Sequence, residues 1–429
     1  MGCNGFCNKL LRNDYVFSVL TKMFSILVGV FHAAFLARFL GPELKGISAS
    51  ITSAVSVGCV LVTGGMHQAF PYYRKKDLSQ NFLDTFCSAI LIVYAVLFAF
   101  AAILAFAIPA GIKIKASMML IPLFGYETII NYVFLIERPK ERNLINLFAS
   151  VAETVLLLAF WLWVKPDNFL MVVSISIAII IRAIGCTACV RFRFTPKGLS
   201  LAYLWELLKF GWLPMIALLL TMLNSRLDII MLDGFSFISA YQVGIYSTGV
   251  GLAEKALFIP DAIREILLGK LVSGKEENEV AKACRLGVFI STLISVFILF
   301  FGQIAIRILF GEKYASSYSI AVICTFGTVF MVFIKMVSQY NIVHKKQLTN
   351  MLLLAGAVVL NVLLNLWLVP ICGVHGTAIA SLASHFVCGM SFAVFFALKT
   401  KTSLLDLIFV RKDDLRIIRN LIKNRKKSD

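Results

Sequence analysis

Long apolar runs alternate with short polar ones along the whole chain. A helix needs roughly 20 mostly apolar residues to cross the hydrocarbon of a bilayer. That template predicts spans at Tyr15–Phe39, Ile47–His67, Phe82–Ile108, Ala116–Ile136, Leu144–Val164 and Phe169–Val190. A second set follows at Leu207–Leu232, Gly244–Leu268, Leu286–Phe310, Tyr318–Tyr340, Met351–Val369 and Gly376–Leu398. The pattern therefore predicts an all-α polytopic membrane protein with about twelve transmembrane helices.

The polar segments alternate in charge. One set holds Lys9 and Arg12, Arg74 to Lys76, Arg138, Lys140 and Arg142, then Arg191, Arg193 and Lys197. It continues with Lys270, Lys275, Lys282 and Arg285, with Lys345 and Lys346, and with the tail "RKDDLRIIRNLIKNRKKSD". The opposite set is thin, with Lys45, Lys113, Lys115, Lys165 and Lys313, and no base in "PICGVHG". The excess of Lys and Arg marks cytoplasmic loops, so both termini are expected in the cytoplasm.

Composition supports the same class. Of 429 residues, 59% are hydrophobic and only 15% charged, against about a quarter charged in a soluble domain. The net charge of +18 invites a nucleic-acid partner, but the bases cluster between apolar runs, so none is expected. The ten cysteines imply no disulfide framework, because Cys59, Cys87, Cys324 and Cys388 lie inside apolar runs as small hydrophobes. "CTAC", Cys186 to Cys189, has redox spacing without the βαβ context such a site needs. "MGC" departs from the myristoylation pattern at Phe6, and Phe17–Leu40 lacks a small-residue cleavage site.

The two halves echo each other. "GPELKGISAS" (Gly41–Ser50) and "SAYQVGIYST" (Ser239–Thr248) each place a Gly and an Ile where a helix begins. "FWLWV" (Phe160–Val164) and "NLWLV" (Asn365–Val369) end the fifth and eleventh spans. The common spacing predicts six-helix lobes at 1–198 and 199–400, followed by a basic cytoplasmic tail at 401–429. Six is even, so the lobes form a parallel pseudo-repeat, expected to enclose a central cavity.

Charges inside the spans carry the candidate chemistry. In "LNSRLDIIMLDG", Leu223 to Gly234, Arg226 and Asp228 sit two apart, about 200° round a helix, and cannot neutralise each other. The other charges are Glu127, Glu153, Arg182, Glu254, Lys255 and Lys335. Each costs at least about 2.5 kcal/mol at mid-bilayer unless a partner or water receives it. Singly, Arg226 can snorkel outward and Lys335 inward, and Arg182 is expected to snorkel. Glu127 can bond Asn131, four residues on, and His67 reads as interfacial, with His32 and His385 weaker candidates. As a set, the charges imply a polar interior with Arg226 and Asp228 facing different partners across a central cavity.

No Asp-rich metal motif, phosphate loop, nucleophile elbow or nucleotide-binding domain is present, and no external loop is large. The chain therefore reads as a carrier, not an enzyme, with alternating access the simplest use of two lobes. A membrane polysaccharide polymerase or ligase is the reading from a different class, and it would need a sizeable external loop.

"FLARFLGPELKGISASITSAVSVGCVLVTGGMHQAFPYYRKK" resembles the first two helices of bacterial polysaccharide flippases. "LKFGWLPMIALLLTMLNSRLDIIMLDGFSFISAYQVGIYSTGVGLAEKALFIPDAI" resembles their seventh and eighth helices, and "LNLWLVPICGVHGTAIASLASHF" their eleventh-to-twelfth turn. These belong to the multidrug/oligosaccharidyl-lipid/polysaccharide exporter superfamily. The resemblance implies transfer of an undecaprenyl-pyrophosphate-linked oligosaccharide, for O-antigen, capsule or a related polymer, across the cytoplasmic membrane. Its expected partners are that lipid-linked oligosaccharide, membrane lipids and other polysaccharide assembly proteins. Carried onto this chain, the resemblance makes Arg38, Arg226, Lys255 and Lys335 the pyrophosphate-facing bases. Arg suits that anion as a bidentate fork and Lys as a point charge. Asp228 and Glu254, with Glu127 and Glu153, become counter-charges or coupling sites. No cofactor is expected, and coupling to a proton or sodium gradient stays open, as does the rival of a drug or cation exporter.

Overall fold

A computed structural model describes residues 14–163, 165–190, 192–195, 201–272, 277–409 and 411. Lys9, Arg12, Arg191, Lys197, Lys275 and most of the basic tail lie outside the described residues. Every regular element described is helical. In chain order, α1 is Asp14–Thr63, α2 Met66–Lys76, α3 Gln80–Ala107, α4 Ile112–Glu137, α5 Pro139–Trp163 and α6 Asn168–Val190. Then come α7 Leu201–Gly234, α8 Ala240–Glu254, α9 Phe258–Val272, α10 Glu277–Phe310, α11 Ser317–Val343, α12 Gln347–Cys372, α13 Val374–Thr400 and the short α14 Leu405–Ile408.

Ten helical stretches among the described residues are long and apolar enough to cross a membrane. Two local breaks reconcile this with the expected twelve. Val28–Lys76 counts as one stretch of 49 residues. Straight, it would run about 73 Å, more than twice the roughly 30 Å hydrocarbon core. The chain divides at Gly41, whose φ of 70° suits glycine, with Pro42 opening the next helix. Phe39 and Leu40 before that break share a buried cluster with Ile51 and Val55 after it.

The second break splits the eighth span. α8 and α9 have 15 residues each, about 22 Å apiece and too short to cross alone. Between them Lys255–Leu257 forms a 3₁₀ turn. Pro260 explains it, because it has no N–H for the Ala256 carbonyl and its ring crowds that oxygen, so the backbone tightens one turn earlier.

The chain forms two compact units. One joins the residues up to Met222 with Ser239–Gly244, and the other joins Leu223–Ile238 with everything from Ile245 onward. In the first unit, Phe70, Phe86, Ile129, Val133, Ala183 and Cys186 form one buried cluster, and Phe39, Ile51, Leu120, Leu157 and Met171 form another. Arg74 grips Glu137 with two bonds, Nε to Oε1 at 2.6 Å and Nη2 to Oε2 at 3.1 Å. That fork pins the basic end of α2 to the end of α4.

The glycines of the two echoing turns also meet in this unit. A Cβ on Gly46 would collide with the Ala240 carbonyl and lie 2.8 Å from the Gly244 nitrogen. A Cβ on Gly244 would collide with the Pro42 carbonyl. Helices in hydrocarbon gain little from burying apolar surface against each other, so close backbone approach through small residues stands in for it.

In the second unit α11 is the central helix, with Ile320, Val332, Met336 and Val337 fully buried. Large apolar side chains face outward in both units, Phe106 at 84%, Trp163 at 85% and Leu398 at 79% exposure among them. Such exposure suits a lipid solvent.

Candidate functional site

Polar side chains gather within the apolar helices of both units. In the second unit, α7 carries Arg226 and Asp228, and the structure gives them different partners. Arg226 Nη1 lies 3.5 Å from Glu254 Oε1, with both side chains about one-third exposed at 35% and 37%. Glu254 ends α8, and Lys255 begins the 3₁₀ turn with its Nζ 5.0 Å from the Phe258 ring centroid. Two bases and one carboxylate therefore gather where the eighth span is broken.

Asp228 faces a closed polar niche. It is 8% exposed. Tyr246 Oη donates to its Oδ2 at 3.1 Å, Asn365 Nδ2 donates to its Oδ1 at 3.1 Å, and Ser381 Oγ donates to Oδ2. Three donors from α8, α12 and α13 thus meet both oxygens of a carboxylate buried in an apolar bundle, where an unbonded one would be costly. A small cavity of about 40 Å³ adjoins it, lined in part by Asn224, Asp228, Tyr246, Glu254, Ser381 and His385. Asn224 Oδ1 and His385 Nε2 are buried there without a hydrogen-bond partner. The space exceeds the roughly 10–15 Å³ a water requires.

Lys335 joins neither group. Its Nζ donates to Asp261 Oδ1 at 2.7 Å, tying α11 to α9. Asp261 went unread in the sequence because it lies beside Pro260 in a stretch taken as uniform span. Arg38 is exposed on α1, three residues before the break at Gly41.

In the first unit the acids have basic partners. Glu127 is 5% exposed, and Arg182 Nε lies 3.3 Å from its Oε1. Arg182 was expected to snorkel, and it instead points inward because a buried carboxylate one helix away offers more than distant interfacial water. Asn131 Nδ2 donates to Glu127 Oε1 at 3.2 Å, as the four-residue spacing predicts. Asn131 also accepts from Arg142 Nε at 2.7 Å. Glu153 Oε1 lies 3.2 Å from His32 Nε2. His67, read as interfacial, is buried, its ring edge-on to Tyr132 at 5.4 Å. No group of three or more His, Cys, Asp or Glu able to hold a metal occurs among the described residues.

The sequence reading missed Tyr246, Asn365 and Ser381, and it ranked His385 among the weaker candidates. One signal was present: Asn361 and Asn365 stand one turn apart in an otherwise apolar helix, and both are buried. A pair of amides on one face of a lipid-spanning helix marks a polar neighbour.

Most of the chain has a fold already seen in solved structures. Lipid II flippase MurJ in an inward closed conformation superposes with a TM-score of 0.70 at 14% identity, over 91% of this chain and 89% of that one. An inward-facing multidrug resistance MATE family transporter of the MOP superfamily gives 0.64 at 13% identity, over 91% and 100%. An outward-facing one gives 0.61 at 14%, over 92% and 99%. At such identities the likeness establishes the fold. No curated protein sequence matches the chain. Residues 35–319, well over half of the 429, match the family described as polysaccharide biosynthesis protein, and the chain belongs to that family.

Proposed function

We propose that this multi-pass membrane protein is a flippase that carries an undecaprenyl-pyrophosphate-linked oligosaccharide across the bacterial inner membrane by alternating access, with both termini cytoplasmic. The observation that carries the reading is the surplus of positive charge at the break in the eighth span. Arg226 pairs with Glu254 at 3.5 Å, and Lys255 beside them makes no ion pair among the described residues. A pyrophosphate leaving water needs cationic donors, and the partly exposed Arg226 presents them in a planar fork. A cationic drug would need the reverse, an acid in excess over bases.

Family membership supports a polysaccharide pathway and the fold supports a carrier. In this reading Asp228, held by three donors beside a water-sized cavity, is the coupling site, and Glu254 tunes the bases. Glu127 and Glu153 act as counter-charges, and no chemical step is assigned to any residue. Oligosaccharides of O-antigen or capsule type are the cargo class, received from and passed to other polysaccharide assembly proteins.

The test is reconstitution of the full chain in vesicles holding a fluorescent undecaprenyl-pyrophosphate oligosaccharide, with outer-leaflet exposure followed by lectin. Expected is protein-dependent exposure that Arg226→Ala and Lys255→Ala each reduce. Vesicles that leave the lipid in place yet accumulate a cationic dye would transfer the assignment to drug export.

A further inference from the structure

The first unit holds a cavity of about 240 Å³ that none of the assigned residues except Glu153 borders. One wall is a polar stripe on the second half of α1: Lys45, Ser48, Thr52 and Ser56, at helical spacing. Facing it are Glu153 from α5 and Arg182 from α6, and Phe124 of α4 adds an aromatic side.

Hydrogen bonding gives this lining a definite character. Thr52 Oγ1 donates to Ser48 O at 2.9 Å, and Ser56 Oγ donates to Thr52 O at 2.7 Å. Their protons are committed to their own helix, so their oxygens stand as acceptors. Arg182 and Lys45 carry the donors. Arg182 is held through its Nε by Glu127 at 3.3 Å, and Glu153 is held by His32 at 3.2 Å. Arg182 is paired with Glu127, and the lining adds one base, Lys45, and one acid, Glu153, so the pocket offers hydrogen bonds of both kinds and not charge of one sign. Its volume lies below the roughly 300 Å³ at which pockets for drug-sized ligands begin. It is several times the roughly 30 Å³ share of one water.

We propose that the cavity bounded by Lys45, Thr52, Ser56, Glu153, Arg182 and Phe124 binds one uncharged pyranose ring of the cargo and so selects which glycan is carried. A sugar ring presents hydroxyls around its rim and C–H groups on its faces. Fixed donors and acceptors meet the first and Phe124 meets the second. The inference deepens the flippase reading and rests on it.

The experiment titrates the purified full chain in lipid nanodiscs with methyl glycosides of glucose, galactose and N-acetylglucosamine, reading the thermal midpoint. Saturable stabilisation by at least one sugar is expected. Thr52→Val keeps the side-chain shape and should weaken that affinity about tenfold, the loss of one buried hydrogen-bond partner. Ser56→Ala gives the same reading should the valine variant not fold. Glu312→Gln, whose side chain pairs with Arg307 away from the cavity, should bind as the parent does. No saturable binding by any of the three sugars, or equal affinity in Thr52→Val and Ser56→Ala, overturns the pocket. Vesicle exposure of the lipid-linked oligosaccharide, measured in parallel, separates the two failures. Flipping without sugar binding removes the pocket alone, and neither flipping nor binding removes both.

Discussion

Gly46 and Gly244, each one turn inside a helix that follows one of the two echoing turns, lie backbone against backbone, with the Gly244 nitrogen 2.8 Å from where a Gly46 Cβ would stand. The atoms in the way are carbonyls and amides of Pro42, Ala240 and Gly244, and helical backbone does not yield as a side-chain tip does. Gly46→Ala and Gly244→Ala should each cost about 2 kcal/mol or more through overpacking. Gly251, with nothing within 4 Å, provides the contrast, and Gly251→Ala should be neutral or gain up to about 1 kcal/mol. Unfolding of all three in one detergent checks the ranking, and an alanine tolerated at both 46 and 244 contradicts the contact.

The Arg182–Glu127 pair makes a second prediction. Arg182→Met leaves Glu127, 5% exposed, with its main cationic partner gone. Breaking a buried pair from one side costs about 3–5 kcal/mol, and the 24% exposure of Arg182 places this one toward the lower end. Adding Glu127→Gln should recover most of the loss, because an amide tolerates the site uncharged. A double-mutant cycle reads the coupling, and additive losses would mean the two do not act as a pair.

For Asp228 the donors can be removed one at a time. Tyr246→Phe deletes the bond at 3.1 Å and leaves the ring in place, for an expected loss of about 1.5–3 kcal/mol, as for hydrogen bonds to a charged group. Asp228→Leu should cost more, since Asn365, Ser381 and Tyr246 all lose their acceptor. Were Tyr246→Phe silent in thermal unfolding, the niche would not depend on that hydroxyl.

At the broken eighth span, Glu254→Gln removes the carboxylate that pairs with Arg226. Anionic cargo should then bind more tightly and leave more slowly, so translocation falls while binding strengthens. A coupling role for Glu254 predicts instead that the dependence of transport on pH flattens. Measuring affinity and transport rate across pH separates the two outcomes, and no change in either rules Glu254 out of the cycle.

Much of this protein was legible from its residues. Apolar run length marked the ten helical stretches that are long and apolar enough to cross a membrane among the described residues, because hydrocarbon admits only backbone that satisfies its own hydrogen bonds. The charges within spans were legible as anomalies for the same reason. Arg226 and Asp228 were read as facing apart from their spacing alone, and they do face apart, toward Glu254 and toward Tyr246, Asn365 and Ser381.

Partnership was not legible. Nothing in the chain order pairs Arg182 with Glu127, Lys335 with Asp261, or His32 with Glu153. A hydropathy pattern records how deep a residue lies and on which face of its own helix, but not which neighbouring helix that face meets. Residues such as Thr52 and Ser56 pass as span residues because they return their protons to their own backbone. Only the packing of α1 against α5 and α6 turns them into the wall of a cavity. The sequence by itself determined what crosses the membrane and which charges must find company there. The tertiary structure alone decided whose company each one keeps, since that depends on distances between segments far apart in the chain.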